Sequence, residues 1–420
     1  MSTGINQLGT KFYKIFAGWV AKEFAKVDHV RGVYIRRGLA KDDIVFGRSD
    51  IDLIILIDQF DNPSEESKLI YELSKVYRKF KRYFPILGEV EVHNFSDLMR
   101  QDSYRNYRYI SDGRFIPLHG TEISLPEFKL EKEDILYEIP MFMFYFLPMA
   151  FRSNNIKSSI NVLLEISMLY HYLSGEINQL NLRKSDILEL LISRNPQSKE
   201  LRRLRQAFFR FFVGRYADLR KWAYKQCLIL GDNLSEVIPE KLEGQVEISQ
   251  IRSLFCPSFS PRRYLVLDSP NEENMENGLK LMDNDPGLVL TTANILNIYL
   301  YYCYPWEYYP IKNSNPLFGL SAPPSSSMQR YLSTQIGKKY QIRVLSNKDL
   351  LLWDMRNLVA QAKLYFDHNI ICVDKRDLVQ KYESHYGIWP YTDSTSLETY
   401  LLHDYPTLWE SVEELCSRKS

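Results

Sequence analysis

The stretch Gly47-Arg48-Ser49-Asp50-Ile51-Asp52-Leu53-Ile54-Ile55-Leu56-Ile57 sets the strongest constraint on what this chain can fold into. An unbroken apolar run after a Gly-Arg-Ser turn reads as a buried strand. Aspartate is disfavoured in strands, yet two stand here at i and i+2, where alternation turns both carboxylates to one face. Carboxylates a few ångströms apart repel and raise each other's pKa. A divalent cation removes that penalty, and hard oxygen ligands suit magnesium. The plainer alternative is a strand end whose solvent face carries two acids.

The flanking pattern builds a small α/β unit around this strand. Residues 6–28 carry Phe12, Ile15, Phe16, Trp19, Val20 and Phe24 at helical spacing. Val30 to Arg36 reads as a short strand, and Arg37 to Asp43 as a loop or helix start. Asn62-Pro63-Ser64-Glu65-Glu66 opens a second helix, with Ser64 expected as its cap and acids in its first turn. That helix shows an apolar face of Leu69, Ile70, Leu73, Val76, Tyr77 and Phe80. Its last turns are basic. Leu87 to Phe95 then alternates and reads as a strand that puts Glu89 and Glu91 on one face. If it lies beside the first, a third carboxylate joins Asp50 and Asp52. Three carboxylates and a nucleoside triphosphate would hold two cations about 3.5–4 Å apart. One lowers the pKa of an acceptor hydroxyl and the other neutralises the leaving pyrophosphate. A carboxylate on the acceptor side can take the proton.

The stretch Arg37-Gly38-Leu39-Ala40-Lys41, with Phe46-Gly47-Arg48-Ser49-Asp50-Ile51-Asp52-Leu53 after it, resembles the signature of the DNA-polymerase-β-like nucleotidyltransferase superfamily. That signature is a strand, a Gly-Gly or Gly-Ser turn, about ten residues, then Asp-x-Asp in an apolar strand, with a third acid on a later strand. The resemblance covers about residues 5–100. It implies an α/β nucleotidyltransferase core, a small mixed sheet flanked by helices, over 1–125. It implies that Asp50, Asp52 and Glu91 bind metal and act in catalysis, with Glu89 as the alternate third acid. Gly38 matches the second small residue of the turn, whose backbone N–H would meet the triphosphate. Ser49 is placed to hydrogen-bond a phosphate oxygen, and Arg37, Lys41 and Arg48, with Arg36, flank it. The implied cofactors are two Mg²⁺ (or Mn²⁺) ions, with an NTP, ATP foremost, as donor. The implied reaction moves a nucleoside monophosphate to an acceptor hydroxyl and releases pyrophosphate. One departure stands out: Arg37 occupies the place of the first glycine. Either its side chain points away from the nucleotide, or it contacts the triphosphate, or the core is a catalytically inactive nucleotide-binding or partner-binding relative. His93 shares the Glu89/Glu91 face, where it reads as a solvent-facing strand residue or a support to the acids.

The rest of the chain is read more coarsely. Residues 126–254 are expected as a helical domain, the place where this superfamily builds its acceptor cleft. Within it, 201–225 holds Arg202, Arg203, Arg205, Arg210, Arg215, Arg220, Lys221 and Lys225 against the single acid Asp218, with aromatic residues between them. This is either an RNA face or an amphipathic helix with solvated cations; the second is favoured. Residues 255–420 are expected as a mixed α+β region of open role. In it Asp268 to Asp285 reads as an acidic loop, 321–327 as a linker, and 264–267, 288–290 and 340–344 as short strands. The run Tyr299 to Tyr309 is either buried core or a partner surface. No internal repeat is visible. The net charge of +1 supplies no global field toward nucleic acid or membrane. The acceptor is therefore expected to be a small molecule or a specific macromolecule. Five scattered cysteines indicate neither a zinc site nor a disulfide framework. The N-terminus lacks a signal-peptide pattern, and the most apolar run, 140–151, is too short to span a bilayer. A cytoplasmic protein without membrane association is expected.

Overall fold

A computed structural model describes residues 2–44, 49–99, 114–124, 132–153, 156–209, 216–234, 248–251, 262–267, 270–285, 287–303, 305–314, 322–338, 355–372, 375–392 and 396–418. Gly47, Arg48 and the strand expected at 340–344 lie outside them.

The N-terminal quarter forms in the order expected. Helix α1 (Ser2–Phe24) leads to β1 (Val30–Arg36), a four-residue turn of helix α2 (Arg37–Ala40) and β2 (Ile51–Ile57). Then come α3 (Pro63–Tyr83), β3 (Leu87–Asn94), α4 (Phe95–Met99) and β4 (Ile116–His119). The sheet is mixed, in the order β3-β2-β1-β4. β1 runs antiparallel to β2 and β4, whereas β3 lies parallel to β2 after the α3 crossover. Entry to α3 differs in detail from the expectation. The cap is Asn62, whose side chain accepts from the Ser64 N–H at 2.9 Å, with Pro63 at the first helical position, where no N–H is missed.

The two faces of the sheet differ in chemistry. Val33, Ile35, Ile51, Leu53, Ile55, Val90 and Val92 join the main apolar core with Phe16, Val20 and Phe24 of α1 and Leu69, Ile70 and Leu73 of α3. The opposite face carries a small cluster of Tyr34, Ile54, Leu98 and Phe115. By alternation it also carries Arg36, Asp52, Glu89, Glu91 and His93.

Helices follow from Lys132 to Asn233, with the one at Ile156–Leu173 packed against the one at Ala217–Asn233. A second sheet has the order β5-β6-β7, with β5 (Ile248–Ile251), β6 (Arg262–Leu267) and β7 (Leu288–Thr292). A domain boundary at 254 would part β5 from the β6 it pairs with. β5 is antiparallel to β6, and β6 is parallel to β7 across the helix Glu272–Asn284. This repeats the β1-β2-α3-β3 connectivity. No repeat shows in the sequence because β6 and β7 carry no acid and β7 is buried throughout.

Two loop assignments are corrected. Residues 272–284 are helical: Asn271 caps the Asn274 N–H at 2.9 Å, Glu272 and Glu273 suit the first turn, and Met275, Leu279 and Met282 form a buried stripe. The expected linker in part opens the helix Ser325–Lys338, because Met328, Tyr331 and Leu332 are buried. The aromatic run is core: Tyr299, Leu300, Cys303, Trp306 and Tyr308 are all buried. Finally, the helix Tyr405–Ser417 and the π-helical turn before it pack on α3, so elements far along the sequence close over the first unit. Cys227, Cys303, Cys372 and Cys416 are thiols, outside any disulfide. No helix of the described residues is long and apolar enough to cross a membrane.

Candidate functional site

Strand register gathers the acids. β1 ends with Arg36 opposite Asp52, and residues opposite each other in an antiparallel pair share a face. On the other side of β2 the pairing with β3 slips between Ile51 and Leu53. At that irregularity the Glu89 N–H donates to the Asp52 carboxylate at 2.8 Å. Gly88 makes the approach feasible. A Cβ there would fall 2.5 Å from Asp52 Oδ1 and 2.9 Å from the Asp50 Cβ. Tyr77 of α3 donates to the Gly88 carbonyl at 3.0 Å and fixes that backbone. A lone glycine in an alternating strand is the signal that could have pointed to this close approach. Gly88→Ala is therefore expected to push Asp50 and Asp52 off β3 and weaken any cation or nucleotide response, with the fold retained. Calorimetric titration with Mn²⁺ and ATP, beside circular dichroism, checks this.

Two arginines meet the acids. Arg36 is fully buried and ion-pairs with Glu91, with Glu89 3.7 Å from its other terminal nitrogen. A guanidinium keeps its proton in proteins, so this buried cation needs carboxylates beside it. The sequence reads Arg36 as a flank of the triphosphate or as a surface charge; its burial corrects the second reading. Glu91 is equally buried, held by Arg36 and by His93 Nε2 at 3.3 Å. His93 is buried too, which corrects its solvent-facing assignment. Of the two candidate third acids, Glu89 is the one that stands against Asp52, and Glu91 is turned to Arg36.

Arg37 is half-exposed and reaches Glu89 at 2.9 Å and Asp52 at 3.8 Å. Its φ of 55° is left-handed backbone, which costs a side-chain-bearing residue about 1–2 kcal/mol. The glycine missing from the turn at this position is thus missed physically: the backbone still adopts a conformation that favours glycine. Gly38 follows in α2, where a Cβ would lie 3.2 Å from the Asp43 carbonyl. Lys41 and Ser49 are partly exposed near the two ends of the turn.

Burial, the Asp50 charge and Glu89 together raise the Asp52 pKa to about 6, against the opposing pull of Arg37 and Arg36. Two guanidiniums against four carboxylates leave a formal charge of −2 on this face. Among the described residues no three His, Cys, Asp or Glu side chains stand together as a ready cation site; Glu89 and Asp52 are drawn to Arg37 instead.

Several cations of the basic segment 201–225 are paired with acids where it is described, Arg203 and Arg205 at the surface. Arg203 pairs with Asp218 at 2.6 Å and Arg205 with Glu189 at 2.7 Å. Lys221 pairs with Asp283 at 3.2 Å, Lys225 with Glu276 at 2.8 Å, and Arg220 packs over the Phe151 ring. Arg210 and Arg215 lie outside the described residues.

Neither family models nor curated proteins give a match to this chain.

Proposed function

We propose that the chain is a metal-dependent nucleotidyltransferase that moves an NMP from an NTP, ATP foremost, to an acceptor hydroxyl. The observation that carries this reading is that Asp52 and Glu89, from two parallel strands, both reach the Arg37 guanidinium, with Asp50 beside Asp52 at Gly88. Strand, turn, Asp-x-Asp strand and later acidic strand follow in the order of the superfamily pattern. The donor set fits magnesium, since all three groups are hard oxygens and Asp52 carries a desolvation penalty that a cation would relieve. Glu89 replaces Glu91 as the third acid, because Glu91 is committed to Arg36. Bound metal supplies Lewis-acid polarisation of the phosphates and of the acceptor hydroxyl. Of the chain's own groups, Asp52 and Glu89 would hold the ion, and Asp50, the more exposed acid, would accept the acceptor's proton. Arg37 must leave Glu89 for this set to form, and its half-exposed side chain has room to turn toward a triphosphate.

The test is a transfer assay with four labelled NTPs and Mg²⁺ or Mn²⁺ against small-molecule, RNA and protein fractions, the chain itself included. Transfer that disappears in Asp50→Asn/Asp52→Asn supports the proposal, and no transfer to any pool overturns it.

The arginine pairing favours a second reading, a nucleotide-binding module without catalysis. Binding of an NTP with the same affinity when Mg²⁺ is chelated would select it. Arg37→Gly separates the roles of that side chain. If Arg37 only occupies the cation's place, the variant should bind Mn²⁺ and ATP about tenfold more tightly, through relief of backbone strain and of a competing charge. Weaker ATP binding with unchanged Mn²⁺ binding would show that the guanidinium contacts the triphosphate.

A further inference from the structure

Helix α1 is apolar on two sides. Tyr13, Phe16, Ala17, Val20, Ala21 and Phe24 are buried in the core. On the opposite side Leu8 is 70 % exposed, Phe12 46 %, Ile15 57 % and Trp19 56 %. Steps of four, three and four residues place these on one continuous stripe. Single exposed apolar residues need no account, but a contiguous stripe of four large ones marks an interaction surface.

The rim of the stripe is cationic. Lys11 and Lys22 border one edge by helical angle, and exposed Lys26 continues the stripe at its end. The other edge is the last turn of α3, brought alongside by Phe16, whose ring lies 4.3 Å from that of Phe84 and 6.3 Å from that of Phe80. There Lys79 and Arg82 are exposed and Tyr83 is 69 % exposed. The acid on this surface, Glu23, lies between Lys26 and Lys79 and is paired with both.

We infer that this face seats the protein on an anionic lipid bilayer, with α1 lying in the plane of the interface. A helix with Leu, Phe, Ile and Trp on one side and lysines at its borders has the composition of an interfacial helix. Lysine stems cover apolar surface while their ammonium groups reach outward to lipid phosphates, and each cation near an anionic leaflet adds attraction. Charge decides against a second copy of the chain as the occupant. Stripe-to-stripe pairing would set Lys11, Lys22 and Lys26 of each copy against cations of the other, and Glu23 is already engaged. The stripe also lacks the complementary charges that flank a coiled-coil seam, with Gly18 standing beside it and open space around that glycine. α1 and α3 cover the face of the sheet opposite Asp52 and Glu89, so docking would leave the acids turned away from the bilayer.

The experiment is co-sedimentation of the full chain with vesicles of phosphatidylcholine alone and of phosphatidylcholine with phosphatidylserine. The wild type should pellet with the anionic vesicles and be released by salt. Phe12→Glu/Trp19→Glu should lower the partition coefficient more than about tenfold, since two side chains lose their burial. Lys22→Glu/Lys79→Glu should lower it about tenfold or more and remove the salt dependence. All four positions are exposed, so an unchanged circular dichroism melt is expected as a control. Partitioning that ignores phosphatidylserine overturns the inference. So does a dimer in sedimentation velocity that Trp19→Glu dissociates, with no vesicle binding by the wild type.

Discussion

Asp52→Asn is expected to abolish the proposed nucleotidyl transfer and, in the same protein, to raise stability. The transfer loss should reach about a thousandfold or more, the cost of removing one preorganised group from a charge-stabilising site. The stability gain follows from linkage. The folded state holds the Asp52 proton up to a pKa of about 6, against 3.8 in the ordinary carboxylate. Below the lower value both states are protonated and the penalty vanishes. As pH rises through the window between the two, the folded state must give up a proton it holds more tightly than the unfolded state does, so stability falls. Above about pH 6 the full penalty applies, about 3 kcal/mol for the distance between those two values. Asparagine keeps the oxygen that accepts the Glu89 N–H and carries no charge to desolvate. Chemical denaturation at pH 8 should show the variant ahead of wild type, and the two should converge at pH 4. Mn²⁺ should stabilise the wild type and leave the variant unmoved. A variant less stable than wild type at pH 8 would mean that the Asp52 charge is already satisfied by Arg37 and Arg36.

Arg36→Met carries the second large effect, in the opposite direction. Arg36 is fully buried and Glu91 nearly so. Removing the cation leaves Glu91 buried without its main counter-charge, a change that costs about 3–5 kcal/mol when a buried pair is broken on one side. Arg36→Met/Glu91→Gln should recover much of that loss, because the second change removes the stranded charge. A double-mutant cycle in urea measures the coupling. Absence of recovery would show that Arg36 acts through the packing of its stem, and the pair would then not be what holds β1 to β3 across β2.

These two residues mark what was legible from the sequence. β1 and β2 were readable as short apolar runs, β3 by its alternation and α1 and α3 by their 3.6-residue spacing, all local signals. Asp50 and Asp52 stood out because acids are unusual in a strand. Arg36 gave no such signal. At the end of an apolar run before a turn it looks like a surface charge, and its burial is decided by register, which sets it opposite Asp52 and within reach of the next strand but one. Which of Glu89 and Glu91 stands nearer Asp52 was hidden for the same reason, since alternation gives both the same face and only the slip beside Gly88 tells them apart. The helix at 272–284 was missed because its acids and asparagines masked a three-residue apolar stripe. The second β-β-α-β unit was invisible because a connectivity can recur without any residue recurring.

The packing of Tyr405–Ser417 onto α3 has a consequence for biosynthesis. On the ribosome, the flank of α3 that meets Tyr405–Ser417 stays bare until that helix has emerged, however early the strands around α3 pair. Closing that contact joins residues more than three hundred positions apart, and such long loops slow folding. A nascent chain stalled before Tyr405–Ser417 has emerged should therefore be cut by protease within the α3 region, and emergence of that helix should bring protection there all at once.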